Sequence, residues 1–133
     1  MKNLKNSVRL IGNLGSDPEI KTVGDGRPVA RFSLATNETF RDKKTGEKKE
    51  QTEWHNIIMW RGLAESAQKS ELKKGDMIYL EGKIKTRRWE DKEGNKRLNV
   101  EIVADTFTIL SRKKDVVSEA TLKNENESVI NNY

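Results

Sequence analysis

From Asp76 to Ala104 the chain alternates apolar and polar residues at every second position, and this pattern limits its folds more than any other feature. "DMIYLEGKIKTRRWE" puts Ile78, Leu80, Gly82 and Ile84 on one side and Tyr79, Lys83, Lys85, Arg87 and Trp89 on the other. "DKEGN" supplies a turn, and "KRLNVEIVA" returns with Leu98, Val100 and Ile102 alternating inward. A period of two over such a length cannot form a helix, so it predicts a long β-hairpin with one face on a core.

The same period runs through most of the first 110 residues. "SVRLIGNLG" sets Val8 and Leu10 against Arg9 and Ile11, with Gly12 and Gly15 marking a curved strand. "SDPE" reads as a turn, "IKTVGDGRP" as a short run ending in a Gly/Pro turn, and "VARFSLAT" places Ala30, Phe32 and Leu34 inward. "NETFRDKKTGEKKEQTE" is an exposed loop or projecting hairpin whose only aromatic is Phe40. In "TEWHNIIMWRG", Trp54, Asn56, Ile58 and Trp60 share one face and His55, Ile57 and Met59 the other. "RGLAESAQKSELKKG" is the one helical stretch, with Leu63, Ala64, Ala67 and Leu72 on a common face and Gly75 as its stop. "TFTIL" reads as a last edge segment. Five strands with one helix between the third and fourth predict an all-β fold, a five-stranded Greek-key barrel of the OB type. Residues 1–111 form this domain, and 112–133 a short, polar, disordered tail.

Chemistry is sparse. There is no cysteine and one histidine, which removes disulfide and thiol readings and leaves no metal-ligand spacing. The carboxylates in "GEKKEQTE" and "WEDKEG" stand among lysines in turns, so no catalytic residue, metal or cofactor is expected. The start "MKNLKNSVRL" has no apolar run, and no segment has the length and apolarity of a membrane helix, so a cytoplasmic protein is expected. Residues 115–133 carry a net −3 and residues 1–114 a net +8, a basic body suited to a polyanion.

The aromatic residues narrow the ligand. Trp89 shares a face with Lys83, Lys85 and Arg87, and Phe40 stands in a charged segment. Large rings among cations are poorly explained as core, whereas stacking of unpaired bases with phosphate neutralisation explains them. No helix is basic enough to enter a duplex groove.

These residues resemble the bacterial single-stranded DNA-binding proteins over residues 4 to 110. The resemblance is carried by "LIGNLGSDPE", "FSLATNETFRD", "EQTEWHNI", "LAE", "KKGDMIYLEGKIKTRRWED" and "EGN" in register. It implies an OB barrel assembled as a homotetramer, with stacking rings at Phe40, Trp54, Trp60 and Trp89 and His55 at a subunit interface. Lys43, Lys44, Lys83, Lys85, Arg87 and Arg88 are the expected phosphate contacts. Expected partners are single-stranded DNA and further copies of the chain, in a nucleoid-associated protein of replication, recombination and repair. The tail "DVVSEATLKNENESVINNY" lacks the Gly/Pro/Gln-rich linker and acidic Pro-Phe tip by which family members recruit replication and repair proteins. The alternative is an OB-fold RNA-binding or primosome accessory protein.

Overall fold

A computed structural model describes residues 5–113. Six strands and one helix follow in the order β1 (Val8–Leu14), β2 (Glu19–Val23), β3 (Arg27–Arg41), β4 (Lys48–Trp60), α1 (Arg61–Lys69), β5 (Met77–Glu90) and β6 (Lys96–Ser111). The sheet order is β1-β5-β6-β4-β3-β2, and β1 also pairs with β3 at Asn13↔Ala35 and Leu14↔Leu34, which closes the barrel. Five strands make the closed wall. The short β2, folded back on β3 with Glu19↔Arg31 to Val23↔Arg27, is the sixth.

The alternation works as expected inside the wall. Ala30, Phe32 and Leu34 of β3, Ile57 and Met59 of β4, and Ile78 and Leu80 of β5 are buried together. Helix α1 packs on β3 and β4 through Ala64 and Ala67, with Leu72 completing the plug beyond its end. Close approach of the strands needs two glycines. A Cβ on Gly12 would lie 2.3 Å from the Ala35 carbonyl oxygen, and one on Gly82 2.2 Å from that of Val103.

Four expectations change. The helix ends at Lys69, because Ser70 caps it and the backbone reverses through Glu71; Gly75, at φ +95, instead serves the tight turn before β5. "TFTIL" is the continuation of β6. Glu81 pairs with Thr106 and Gly82 with Ala104, so Asp105 is an extra residue, a bulge that moves the inward set from even to odd positions. Leu98 and Val100 are exposed (58% and 50%), as is Ile84, because the β5–β6 hairpin extends past the barrel and has nothing beneath it. Ile58 lies on the outward-facing side of β4 and is nevertheless buried, with 3% exposure. The acidic tail falls outside the described residues.

Candidate nucleic-acid interface

Two hairpins project from the same side of the barrel wall. β3 and β4 pair without interruption from Val29↔Trp60 to Arg41↔Lys48, joined by a turn at residues 42–47. β5 and β6 pair out to Glu90↔Lys96, joined by residues 91–95. Each turn is tied by an aspartate. Asp42 accepts the Lys44 amide at 2.8 Å, and Asp91 accepts the Asn95 amide at 2.8 Å. The Lys44 amide is the main cause that lowers the Asp42 carboxyl below its ordinary 3.8, with Lys49 adding to it. For Asp91 the Asn95 amide plays that part, with Arg97 adding to it. Hairpins too long to bury their own faces are thus held at their tips by charge-assisted hydrogen bonds.

Strand parity decides which candidate side chains share a surface. Trp54 and Trp60 on β4, and Lys83, Lys85, Arg87 and Trp89 on β5, all take outward positions, and all are exposed. Phe40 and Arg88 do not. Phe40 opposes Lys49, in phase with the inward Ile57 and Met59, and Arg88 opposes Leu98, in phase with Ile84. Both are exposed because they lie beyond the barrel, on the opposite face of their ribbons. Lys43 and Lys44 sit in the exposed β3–β4 turn. His55 is half-buried on the inward side of β4, and its Nε2 lies 3.0 Å from Thr36 Oγ1.

Between the hairpins runs an open groove of about 440 Å³, lined in part by Arg31, Asn56, Arg87, Asn99 and Glu101. Trp54 stands at its side with 63% of its surface exposed. Its ring rests where a side chain on residue 15 would be: a Cβ on Gly15 would lie 2.4 Å from Trp54 Cζ3 and 2.7 Å from Ser33 Oγ. Gly15 therefore serves the ring as well as the strand. The sequence signal was present in "NLGS", but it reads equally as a bend. Arg31 is salt-bridged to Glu101 across the groove floor, a pair 70 residues apart that no local pattern announces. Among the described residues no cluster of side chains could hold a metal ion. No helix there is long and apolar enough to cross a membrane. The arrangement offers exposed rings, cations at the rim and the Asn56 and Asn99 amides in the groove. The three acids of the groove lining are each engaged, Asp17 by the Lys74 amide, Glu19 by Lys21 and Glu101 by Arg31. That combination suits a flexible polyanion whose bases are free to stack.

The comparisons agree with that chemistry. Residues 5–110 match the Single-strand binding protein family. Single-stranded DNA-binding protein 1 of Xylella fastidiosa (strain 9a5c) is 49% identical over 110 residues, 83% of this chain and 80% of that protein. The single-stranded DNA-binding protein of Rhizobium meliloti (strain 1021) is 46% identical over 103 residues, 77% of this chain and 59% of that one. Among solved structures, the Plasmodium falciparum SSB complex with ssDNA is similar at a TM-score of 0.73 and 35% identity, covering 84% of this chain and 98% of that chain. A deletion mutant of the single-stranded DNA binding protein from Thermus aquaticus gives 0.70 and 29%, covering 81% and 51%.

Proposed function

This chain belongs to the single-strand binding protein family, and we propose that it binds single-stranded DNA, without catalysis, across the outer face shared by its two hairpins. The observation that carries the mode of binding is the common outward phase of Trp54, Trp60, Trp89, Lys83, Lys85 and Arg87. Bases stack on the three indoles, each contact worth about 1–3 kcal/mol. Phosphates meet Lys83, Lys85 and Arg87 on the same face and Lys43 and Lys44 at the β3–β4 turn. Phe40 and Arg88, on the opposite faces of their ribbons, take up strand that turns around the hairpins. Binding only the single strand draws duplex toward the open form by mass action, which is the physical basis of protecting and melting strands in replication, recombination and repair.

The chain acts as a multimer in this reading, a homotetramer. Over Val8–Gly12, the one ladder partner of β1 among the described residues is β5, which leaves its other edge available to a second copy. Ile11, exposed on the outer face of that strand, supplies apolar area for the contact. His55, held by Thr36, is assigned to assembly. The working place is cytoplasmic DNA, where replication and repair proteins act on the same strands.

The test is fluorescence anisotropy of a labelled oligo-dT, with duplex and RNA of matched length as competitors, beside sedimentation to obtain the mass of the free protein. Saturable binding that duplex does not compete, by a species of four chains, is the expected result. RNA competing as well as dT would move the reading to the RNA-binding alternative, and equal competition by duplex would refute it.

A further inference from the structure

The buried carboxylate of Glu101 has no place in the scheme above. It is one of two buried charged or polar residues among those described, with 8% exposure, and it sits in the groove across which DNA would run. A desolvated acid there is a poor neighbour for phosphates, because repulsion is least screened where water is least present. The other buried acid, Asp76, lies at the far end of the barrel and is satisfied by the Lys73 and Lys113 amides and by Arg112.

Register shows what offsets Glu101. Arg31 of β3 opposes Ile58 of β4, and Ile58 opposes Val103 of β6, so β4 lies between Arg31 and the strand that carries Glu101. Arg31 Nη1 nevertheless bonds Glu101 Oε2, so its side chain crosses β4 at Ile58. Arg31 and Ile58 are cross-strand neighbours on that face, and Ile58 is 3% exposed, so the arginine stem is placed to help cover it. On the other flank Glu101 opposes Lys85 in the β5–β6 ladder, already assigned to phosphate. Arg31 keeps 44% of its side chain exposed to the groove while Glu101 keeps 10%. The cation faces the ligand and the acid lies behind it.

We propose that Arg31 is a positioning residue for single-stranded DNA: it strides β4 to mask the buried Glu101 carboxylate, removing that repulsion from the path of a strand that passes between the hairpins. The inference rests on the single-stranded DNA reading. The masked Glu101 shares the groove lining with the Asn56 and Asn99 amides, which suit bases. The other two acids of the lining are engaged elsewhere, Asp17 by the Lys74 amide and Glu19 by Lys21.

The experiment compares the parent with R31M, R31K, E101Q and R31M/E101Q by anisotropy of labelled oligo-dT in 50 mM salt, each protein first shown folded at the assay temperature by circular dichroism. The expected result is at least tenfold weaker binding by R31M, and binding within threefold of the parent by R31K and by R31M/E101Q, because removing the acid removes the need for its mask. A double variant as weak as R31M would overturn the proposal by making Arg31 a direct contact. R31M binding like the parent would overturn it also. Failure of the parent itself to bind dT would instead strike the reading of the protein as a single-stranded DNA binder.

Discussion

Replacing Gly15 with alanine should separate DNA binding from stability. The new Cβ would lie 2.4 Å from Trp54 Cζ3 and 2.7 Å from Ser33 Oγ, so something must move. Both obstacles are ends of side chains, and Trp54 is 63% exposed, so the ring can swing into solvent without disturbing the core. The cost to folding should stay below about 1 kcal/mol, in keeping with a substitution relieved at the surface. The loss to binding is that of one stacking platform, about 1–3 kcal/mol, or roughly 5- to 160-fold in affinity. Gly82→Ala is the internal control. There the Cβ would lie 2.2 Å from the Val103 carbonyl oxygen and 2.9 Å from the Ala104 Cα, and backbone cannot rotate away. Overpacking of that kind costs about 1–3 kcal/mol or more of stability. Calorimetric Tm and oligo-dT anisotropy on both variants decide the matter. G15A should keep its Tm and lose affinity, whereas G82A should lose Tm first. A G15A protein that binds like the parent would show that Gly15 does not hold Trp54 in its working position.

Other expectations are independent of that one. Arg61 occupies the left-handed region at φ +50, where an L side chain costs about 1–2 kcal/mol, so Arg61→Gly should raise stability by about 0.5–1 kcal/mol net of glycine's chain entropy, read as a higher Tm. Asp76→Ala strips three donors of their acceptor, the Lys73 amide at 3.0 Å, the Lys113 amide at 3.2 Å and Arg112 Nη1 at 3.3 Å. It should cost about 2–4 kcal/mol by urea unfolding while leaving dT affinity intact well below the Tm. Asp42 and Asp91 both have carboxyls lowered from 3.8, so their support of the two tips is complete above that value and lost as pH falls below it toward their lowered values. The Lys44 and Asn95 amide resonances should move in that acid window and stay fixed above pH 5; movement near neutrality would contradict the assignment.

How much of this was legible in the sequence depends on which contacts are local. Alternation in "VARFSLAT" and "MIYLEG" fixes which side chains point inward, and the β5–β6 turn announces itself in "DKEGN", whereas the segment that holds Thr45-Gly46 reads equally as a loop. Alternation does not say whether anything lies under the inward side. Leu98, Val100 and Ile84 have the right phase but stand on a hairpin longer than the barrel it leaves. The bulge at Asp105 was invisible for a related reason: one extra residue reverses the phase of Phe107 and Ile109, and only the pairing with β5 shows it. Gly75 looked like a helix stop because glycine after two lysines often is one, yet its positive φ serves a turn six residues beyond Lys69.

Phe40 and Trp89 are visible as aromatics among charges, and Trp54 and Trp60 enter with the family resemblance, but the grouping of the four is not visible. Nothing in the sequence separates the face of Phe40 from that of Trp54, and only the uninterrupted β3–β4 register puts the two out of phase. The same holds for Arg88 beside Arg87, adjacent in sequence and on opposite faces of the ribbon. Arg31 and Glu101 could not be joined at all without the strand order that sets β4 between them. What escapes a single sequence is the long-range pairing, and here that pairing shapes the groove floor.

The most direct test of the central claim is the intrinsic tryptophan emission titrated with oligo-dT at low and high salt, with duplex of the same sequence beside it. Three tryptophans, all exposed on the outward phase, report on the face proposed to carry the DNA. The account predicts strong, saturable quenching by dT and none by duplex, with an affinity that falls as salt releases the phosphate contacts. Binding of dT that leaves the emission unchanged would contradict it, because the strand would then be held by charge alone and away from Trp54, Trp60 and Trp89.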